Sequence, residues 1–148
     1  MEALATVTPA AVAAYMFAGD RASRGLGMSI TSIGAGSATL TMTVREDMLN
    51  GHEICHGGFL TPLADSAFAF ACNSGNVVTV AAGLTVEFLA PAHRGDVLTA
   101  QATEVSRSGR TGVYDMVVTN QHGVRVALVR GRSHSLRGRS VIPAKETS

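Results

Sequence analysis

One acidic side chain stands out in this sequence because of the apolar segment around it. Asp65 is the only charged residue in the run Gly57–Cys72, GGFLTPLADSAFAFAC. An aspartate is almost never fully buried without a partner. It could cap a backbone group or pair with an arginine from a strand, or it could be a carboxylate at the floor of a cleft that activates water. Asp65 is therefore the first candidate for a catalytic residue.

The residues before this segment could hold a polarised carbonyl group. The glycines of His56-Gly57-Gly58 let a substrate approach backbone N–H groups at the positive end of a helix dipole, which would form an oxyanion hole. Asn50 offers an amide that could donate a second hydrogen bond. Ser66 could position a water molecule or bond back to a helix carbonyl. A purely structural reading stays open as well, since Asn-Gly and Gly-Gly pairs also form plain turns.

Other reactive side chains give weaker signals. His52, Cys55 and His56 are close in sequence, but no further ligand cluster accompanies them, so we expect no metal site. Only two cysteines occur, and without an export signal they predict free thiols. Arg107 and Arg110 flank a Ser-Gly turn. They are either ordinary solvated strand residues or ligands for the phosphates of a molecule such as coenzyme A.

Hydrophobic periodicity and turn residues predict one helix, a β-hairpin, a long central helix and four more strands. Thr8-Pro9 predicts the start of a first helix over about residues 8–19. The central helix is predicted from residue 57 to about 74, apolar almost all round and buried on every side. The predicted strands cover 25–36, 38–44, 77–89, 96–106, 111–120 and 124–136, and the last three are expected to form a meander. The tail after about residue 137 is expected to be flexible.

This order predicts an α+β fold in which an antiparallel sheet wraps around the central helix. A length of 148 residues and a hydrophobic share of 46% predict a single folded domain, residues 1–148. The formal net charge of +1 argues against a nucleic-acid partner. Asp20 and Arg21 interrupt the first apolar stretch well short of a membrane span, so we expect no membrane partner and a cytoplasmic protein.

Several motifs together resemble the PaaI family of phenylacetic acid degradation thioesterases. They are the stretch from Gly51 to Leu60 (GHEICHGGFL), the stretch from Ala64 to Ser74 (ADSAFAFACNS), and the later segments VEFLAP, GDVLTA, TGVYD and RGRSH. The resemblance runs from about residue 25 to 136. It implies a hotdog fold, an acyl-CoA thioesterase acting on (hydroxy)phenylacetyl-CoA, and a homotetramer built as a dimer of dimers. It implies no cofactor, because coenzyme A is part of the substrate.

The resemblance also implies roles for the candidate residues. Asp65 matches the catalytic aspartate. Asn50 and the N–H of Gly57 or Gly58 would hold the thioester carbonyl and come from the subunit facing the one that supplies Asp65. His56 would support the turn, and Ser66 matches a hydroxyl position beside the aspartate. Some related thioesterases carry a serine on the strand after the central helix, where this sequence has Ala81.

Two other classes of function stay open at this point. A hotdog hydratase or dehydratase would use His56 and Asp65 on the same kind of acyl thioester. A non-catalytic acyl-CoA sensor is the third class, although the 26 or so residues before the first strand are too few for a fused DNA-binding module. For a thioesterase, bulky residues on or near the central helix predict a narrow aryl pocket; these are Phe59, Leu63, Phe68 and Phe70.

Overall fold

The computed structural model describes residues 6–145, which form one curved antiparallel sheet around a central helix. The helices are α1 (Pro9–Gly19), α2 (Arg21–Gly25) and α3 (Gly57–Cys72), with a single 3-10 turn at Glu46–Met48. The strands are β1 (Ser29–Gly34), β2 (Ser37–Thr43), β3 (Val77–Phe88), β4 (Val97–Ser108), β5 (Thr111–Thr119) and β6 (Arg125–Ser140).

The strand order is β1-β2-β4-β5-β6-β3, and every neighbouring pair is antiparallel. Strands β4, β5 and β6 form the predicted meander. Helix α3 contacts all six strands, so the sheet wraps around it, and the expected α+β hotdog fold is confirmed. Strand β3 stands at one edge of the sheet and pairs only with β6 among the described strands.

Helix α3 turns one face to the sheet, and its small residues let the helix pack closely against the strands. That face is fully buried and consists of Leu60, Leu63, Ala64, Ala67, Phe68, Phe70 and Ala71. Pro62 lies in the second turn of the helix. The prediction that this helix is buried on every side is wrong within a single chain. The opposite face, which includes Phe59, Asp65 and Ala69, is only half-buried.

Two segments differ from the sequence prediction. Helix α2 was not predicted; it forms because the Asp20 side chain caps it by accepting the Ser23 N–H at 2.9 Å. Strand β6 continues to Ser140, beyond the start of the predicted flexible tail. The following N–H of Ile142 donates to Asn76 Oδ1 at 2.9 Å, which fixes this part of the chain against the start of β3. Residues 146–148 of the predicted tail lie outside the described residues.

Within residues 6–145, no helix is long and apolar enough to cross a membrane.

Candidate active site

An open cleft of about 700 Å³ lies at the N-terminus of helix α3. One wall is the loop before the helix together with the first helical turn, and the other wall is the segment that follows strand β3. The lining is mostly apolar apart from a few polar groups, and comprises Asn50, Ile54, Cys55, His56, Gly57, Gly58, Leu60, Thr61, Phe88, Leu89, Ala90, Pro91 and Ala92. The cleft therefore brings together four of the site residues predicted from the sequence: Asn50, His56, Gly57 and Gly58.

The side chain of Asn50 is oriented by its own loop. Its Oδ1 accepts the His52 N–H at 2.8 Å and the Ile54 N–H at 3.4 Å. The Asn50 N–H donates to the Ile54 carbonyl at 2.8 Å, which closes the loop into a tight turn. Because both acceptor contacts fall on Oδ1, the Nδ2 group is left as a hydrogen-bond donor on a residue that lines the cleft.

His56 caps helix α3 and engages only one of the two glycine N–H groups. Its Nδ1 accepts the Gly58 N–H at 2.9 Å, so that N–H is already used. The N–H of Gly57, the first residue of the helix, has no acceptor among the described residues. Helix N-termini attract negative charge through such free donors. Of the two predicted carbonyl donors, Gly57 is the one that this geometry leaves available.

Asp65 lies on the half-buried face of α3 and does not line the cleft. It is eight residues beyond Gly57, which corresponds to roughly 12 Å along the helix axis. Burial raises the pKa of its carboxyl group above the usual 3.8. No hydrogen bond to the Asp65 carboxylate that would counteract this shift occurs within residues 6–145. A single chain therefore keeps the carboxylate and the carbonyl donors apart.

Ser66 is held by a hydrogen-bond chain to helix α2. Its hydroxyl lies 2.7 Å from the Ser23 hydroxyl, and the Ser23 hydroxyl donates to Asp20 Oδ2 at 2.6 Å. The Ser23 proton is used on a carboxylate that can only accept, so Ser66 must donate to Ser23. The hydroxyl proton of Ser66 is thus directed at α2 and not at a helix carbonyl.

The prediction of an aryl pocket on or near the central helix is wrong for three of its four residues, whereas the fourth, Phe59, is half-buried beside His56 with ring centroids 6.5 Å apart. Phe68 and Phe70 are 1% exposed and Leu63 is fully buried, because all three belong to the hydrophobic core, where the ring of Phe70 lies 6.2 Å from that of Phe17 in α1. The ring of Phe68 packs on Tyr114 with centroids 5.4 Å apart. The aromatic residue of the cleft is Phe88 at the end of β3. The sequence reasoning missed it together with the rest of the Phe88–Ala92 wall.

Arg107 and Arg110 lie away from the cleft in the same chain. They flank the turn between β4 and β5, on the order of 30 Å along β4 from the strand end nearest the cleft. Arg107 is 3.6 Å from Glu104.

Burial raises the pKa of the Cys55 thiol in the cleft, which keeps it protonated and a poor nucleophile. No three His, Cys, Asp or Glu side chains converge as metal ligands in the described part of the chain.

Comparison with known proteins points to one family. A model of the thioesterase superfamily matches residues 52–127. The chain is 48% identical over 123 residues to the acyl-coenzyme A thioesterase PaaI of Escherichia coli strain K12. The aligned region covers 83% of this chain and 88% of that protein.

Solved structures agree with the sequence comparison. The structure of the E. coli PaaI protein from the phenylacetic acid degradation operon matches with a TM-score of 0.87 and 46% identity, over 88% of this chain and 95% of that one. A hypothetical thioesterase of Streptococcus pneumoniae TIGR4, solved with coenzyme A, matches with a TM-score of 0.72 and 26% identity. That match covers 76% of this chain and 91% of the streptococcal one.

Proposed function

Because this chain belongs to the thioesterase superfamily and is a thioester hydrolase, we propose that it hydrolyses acyl-CoA, with (hydroxy)phenylacetyl-CoA as its acyl-CoA substrate in phenylacetate degradation. The relative that is 48% identical is an acyl-CoA thioesterase named PaaI, and a more distant structural relative was solved with coenzyme A. Coenzyme A would enter as part of the substrate, so the proposal needs no separate cofactor. A substrate of this kind also suits the cytoplasmic location expected from the sequence.

The observation that carries the proposal is the pair of free donors at one apolar cleft. The Gly57 N–H and the Asn50 Nδ2 group can both donate to the thioester carbonyl oxygen. Negative charge develops on that oxygen when the tetrahedral intermediate forms. Apolar walls strengthen these hydrogen bonds because they exclude water. The arrangement therefore favours the transition state of acyl transfer to water.

The catalytic carboxylate is proposed to come from a second copy of the chain. Asp65 is too far from Gly57 along a rigid helix to act on a carbonyl held there, yet its face of α3 is half-exposed. Strand β3 offers a long edge on which Val77 and Val80 are exposed, the latter by 46%. Such an edge is a ready template for pairing with another strand. A two-fold dimer would supply the donors from one protomer and Asp65 from its partner.

Asp65 is proposed to act as a general base. A raised pKa makes the carboxylate a better proton acceptor near neutral pH. Asp65 takes a proton from water, the oxygen of that water bonds to the carbonyl carbon, and the C–S bond breaks to release the thiol, which takes up the proton. Direct attack by Asp65 through a mixed anhydride is the competing route. Single turnover in ¹⁸O-labelled water tests for the anhydride route, because label appears on Asp65 only when water opens a mixed anhydride at the Asp65 carbonyl carbon.

Two dimers are proposed to form the homotetramer through the outer face of the sheet. A shallow groove of about 270 Å³ on that face is lined in part by Val117 and Leu128, next to the ion pair in which Arg130 contacts Asp115 at 2.7 Å. Homo-oligomers commonly close by such self-complementary contacts. Sedimentation of the purified protein tests the proposed mass.

Subunit complementation tests the composite site. Asp65→Ala and Asn50→Asp chains are each expected to be nearly inactive, whereas a co-expressed mixture forms mixed dimers with one intact site of the two. Statistical mixing would restore about 25% of wild-type activity. Activity that stays at the level of the separate variants would contradict a site shared between protomers.

Substrate choice is tested by thiol release from a panel of acyl-CoAs. We expect kcat/KM for hydroxyphenylacetyl-CoA to exceed that for palmitoyl-CoA at least about tenfold, or roughly 1.4 kcal/mol. Equal or better turnover of palmitoyl-CoA would refute the aryl assignment and leave thioester hydrolysis standing. An enoyl-CoA in the same panel reveals any hydration that occurs without free thiol.

A further inference from the structure

Phe88 is the exposed aromatic side chain of the cleft, and its ring rests on the first residue of helix α3. A Cβ atom placed on Gly57 would lie 2.7 Å from Cζ of Phe88, 3.0 Å from Cε1 and 3.1 Å from Cε2. The tip of the ring therefore points at the glycine. Although large and apolar, Phe88 is 57% exposed.

The backbone fixes where this ring stands. Phe88 is the last residue of β3 and pairs with Ala127 of β6. The next N–H, that of Leu89, donates to the Val126 carbonyl at 2.9 Å, so the chain stays attached to β6 where it leaves the strand. Because the backbone is held and the tip of the ring lies against Gly57, the ring loses little freedom when a ligand contacts it.

We infer that Phe88 is the specificity-determining residue of the cleft, with one face of its ring serving as the platform on which a flat aryl-acyl group stacks. This inference rests on the proposed carbonyl site at Gly57. A carbonyl oxygen that accepts the Gly57 N–H lies beside the ring, since the ring occupies the space that a Cβ atom on that residue would need. The edge of the ring packs against Gly57, so the acyl substituent would contact one of the two flat faces of the ring. Offset stacking is the arrangement that two aromatic rings prefer.

The matched test is Phe88→Leu, which keeps an apolar side chain and removes the flat face. The assay compares kcat/KM for phenylacetyl-CoA and hexanoyl-CoA by thiol release. We expect the aryl-to-alkyl ratio to fall about three- to tenfold, the usual contribution of an aromatic pair beyond area burial. Val105→Ala is the control, because Val105 is a similarly exposed apolar residue, 53% exposed on β4, that does not line the cleft, and it should leave the ratio unchanged.

The outcomes separate this inference from the proposed function. An equal loss on both substrates would mean that Phe88 contacts the shared pantetheine arm or only supports the fold. Unchanged kcat/KM for both substrates would mean that Phe88 makes no acyl contact. Either result overturns the inference. If the wild-type protein releases no thiol from either acyl-CoA, the proposed function itself fails.

A double-mutant cycle checks the contact on which the inference depends. Gly57→Ala should lower Tm because its new methyl group meets the Phe88 ring. In a Phe88→Ala background the same methyl group has room, so the added loss in Tm should be less than half as large. Additive losses would show that the ring does not rest on Gly57, and the platform would lose its basis.

Discussion

Replacing Asn50 with aspartate would isolate the proposed carbonyl donor from the fold of its loop. Asn50 Oδ1 accepts the N–H groups of His52 and Ile54, while Nδ2 is the donor left for the substrate. Asn50→Asp keeps an oxygen for both N–H groups and removes the donor. Asn50→Ala removes the donor and the acceptor together, so it serves as the comparison.

The structure sets the expected magnitudes. Loss of one carbonyl donor costs about 100- to 1000-fold in kcat, or roughly 2.7–4 kcal/mol of transition-state stabilisation. We therefore expect such a loss for Asn50→Asp with an unchanged free energy of unfolding. Asn50→Ala loses two further hydrogen bonds on a partly exposed loop, at about 0.5–1.5 kcal/mol each. It should be similarly inactive and also less stable by roughly 1–3 kcal/mol.

Thiol release gives kcat and KM for each variant, and urea unfolding gives the stability. Near wild-type kcat in Asn50→Asp would refute the donor assignment. A change confined to KM would make Asn50 a residue that binds the ground state and the transition state equally. A strongly destabilised Asn50→Asp protein would show that the loop needs Nδ2, contrary to the hydrogen bonds found here.

Four further predictions concern the central helix and its two ends. Asp65→Ala should lower kcat about 100-fold or more with the oligomer intact, measured by thiol release and sedimentation. The raised pKa of Asp65 means that the folded protein binds this proton more tightly than the unfolded chain, so its contribution to stability is present below pH 3.8 and is lost as pH rises. Asp65→Asn should therefore raise Tm at pH 7 and lose that advantage below about pH 4. His56→Ala should cost about 1 kcal/mol in urea unfolding by removing the cap on the Gly58 N–H, and His56→Asn should recover it. Asn73→Ala should cost roughly 2–4 kcal/mol in the same assay, because a buried side chain that accepts the Thr79 N–H at 2.9 Å is lost.

Local sequence signals predicted most of the fold. The alternation in β2 and β5 and the apolar run of α3 depend on near neighbours, which is why their predicted bounds agree closely with the structure. The short helix α2 escaped prediction because one capping residue, Asp20, starts it without any hydrophobic period. The extension of β6 was also missed, since it depends on Asn76, which is 66 residues from Ile142.

In the candidate site, too, the parts that depend on neighbouring residues were predicted and the parts that depend on distant residues were missed. Asn50, His56 and Gly57 came together as predicted because they belong to one short stretch of chain. The second wall of the cleft depends on the register of β3 against β6, which brings Phe88 beside Ala127 and aims the following residues at the helix. No local pattern contains that register. Phe88 was visible in the sequence only as an aromatic residue shortly before the Ala90-Pro91 turn.

The error over the aromatic residues of α3 could have been avoided from the sequence. Positions 60, 63, 64, 67, 68 and 71 follow the three- and four-residue spacing of a single buried helix stripe. Phe68 belongs to that stripe, and its ring fits over Gly131 only because this glycine has no side chain: a Cβ there would come within 2.9 Å of the ring. Aromatic residues on such a stripe favour core packing over ligand binding. Asp65 falls outside the stripe, which distinguishes it from its apolar neighbours.

Helix geometry explains why the proposed mechanism requires two copies of the chain. A base must come within about 3 Å of the water that attacks the carbonyl carbon, whereas Asp65 and Gly57 are separated by roughly 12 Å of continuous helix. No side-chain rotation closes that gap. A two-fold axis can place the Asp65 face of one helix against the N-terminus of the other and builds two equivalent sites at once. This mechanism explains both the exposed edge of β3 and the half-buried face of α3, because the partner subunit would contact both surfaces when it completes the active site.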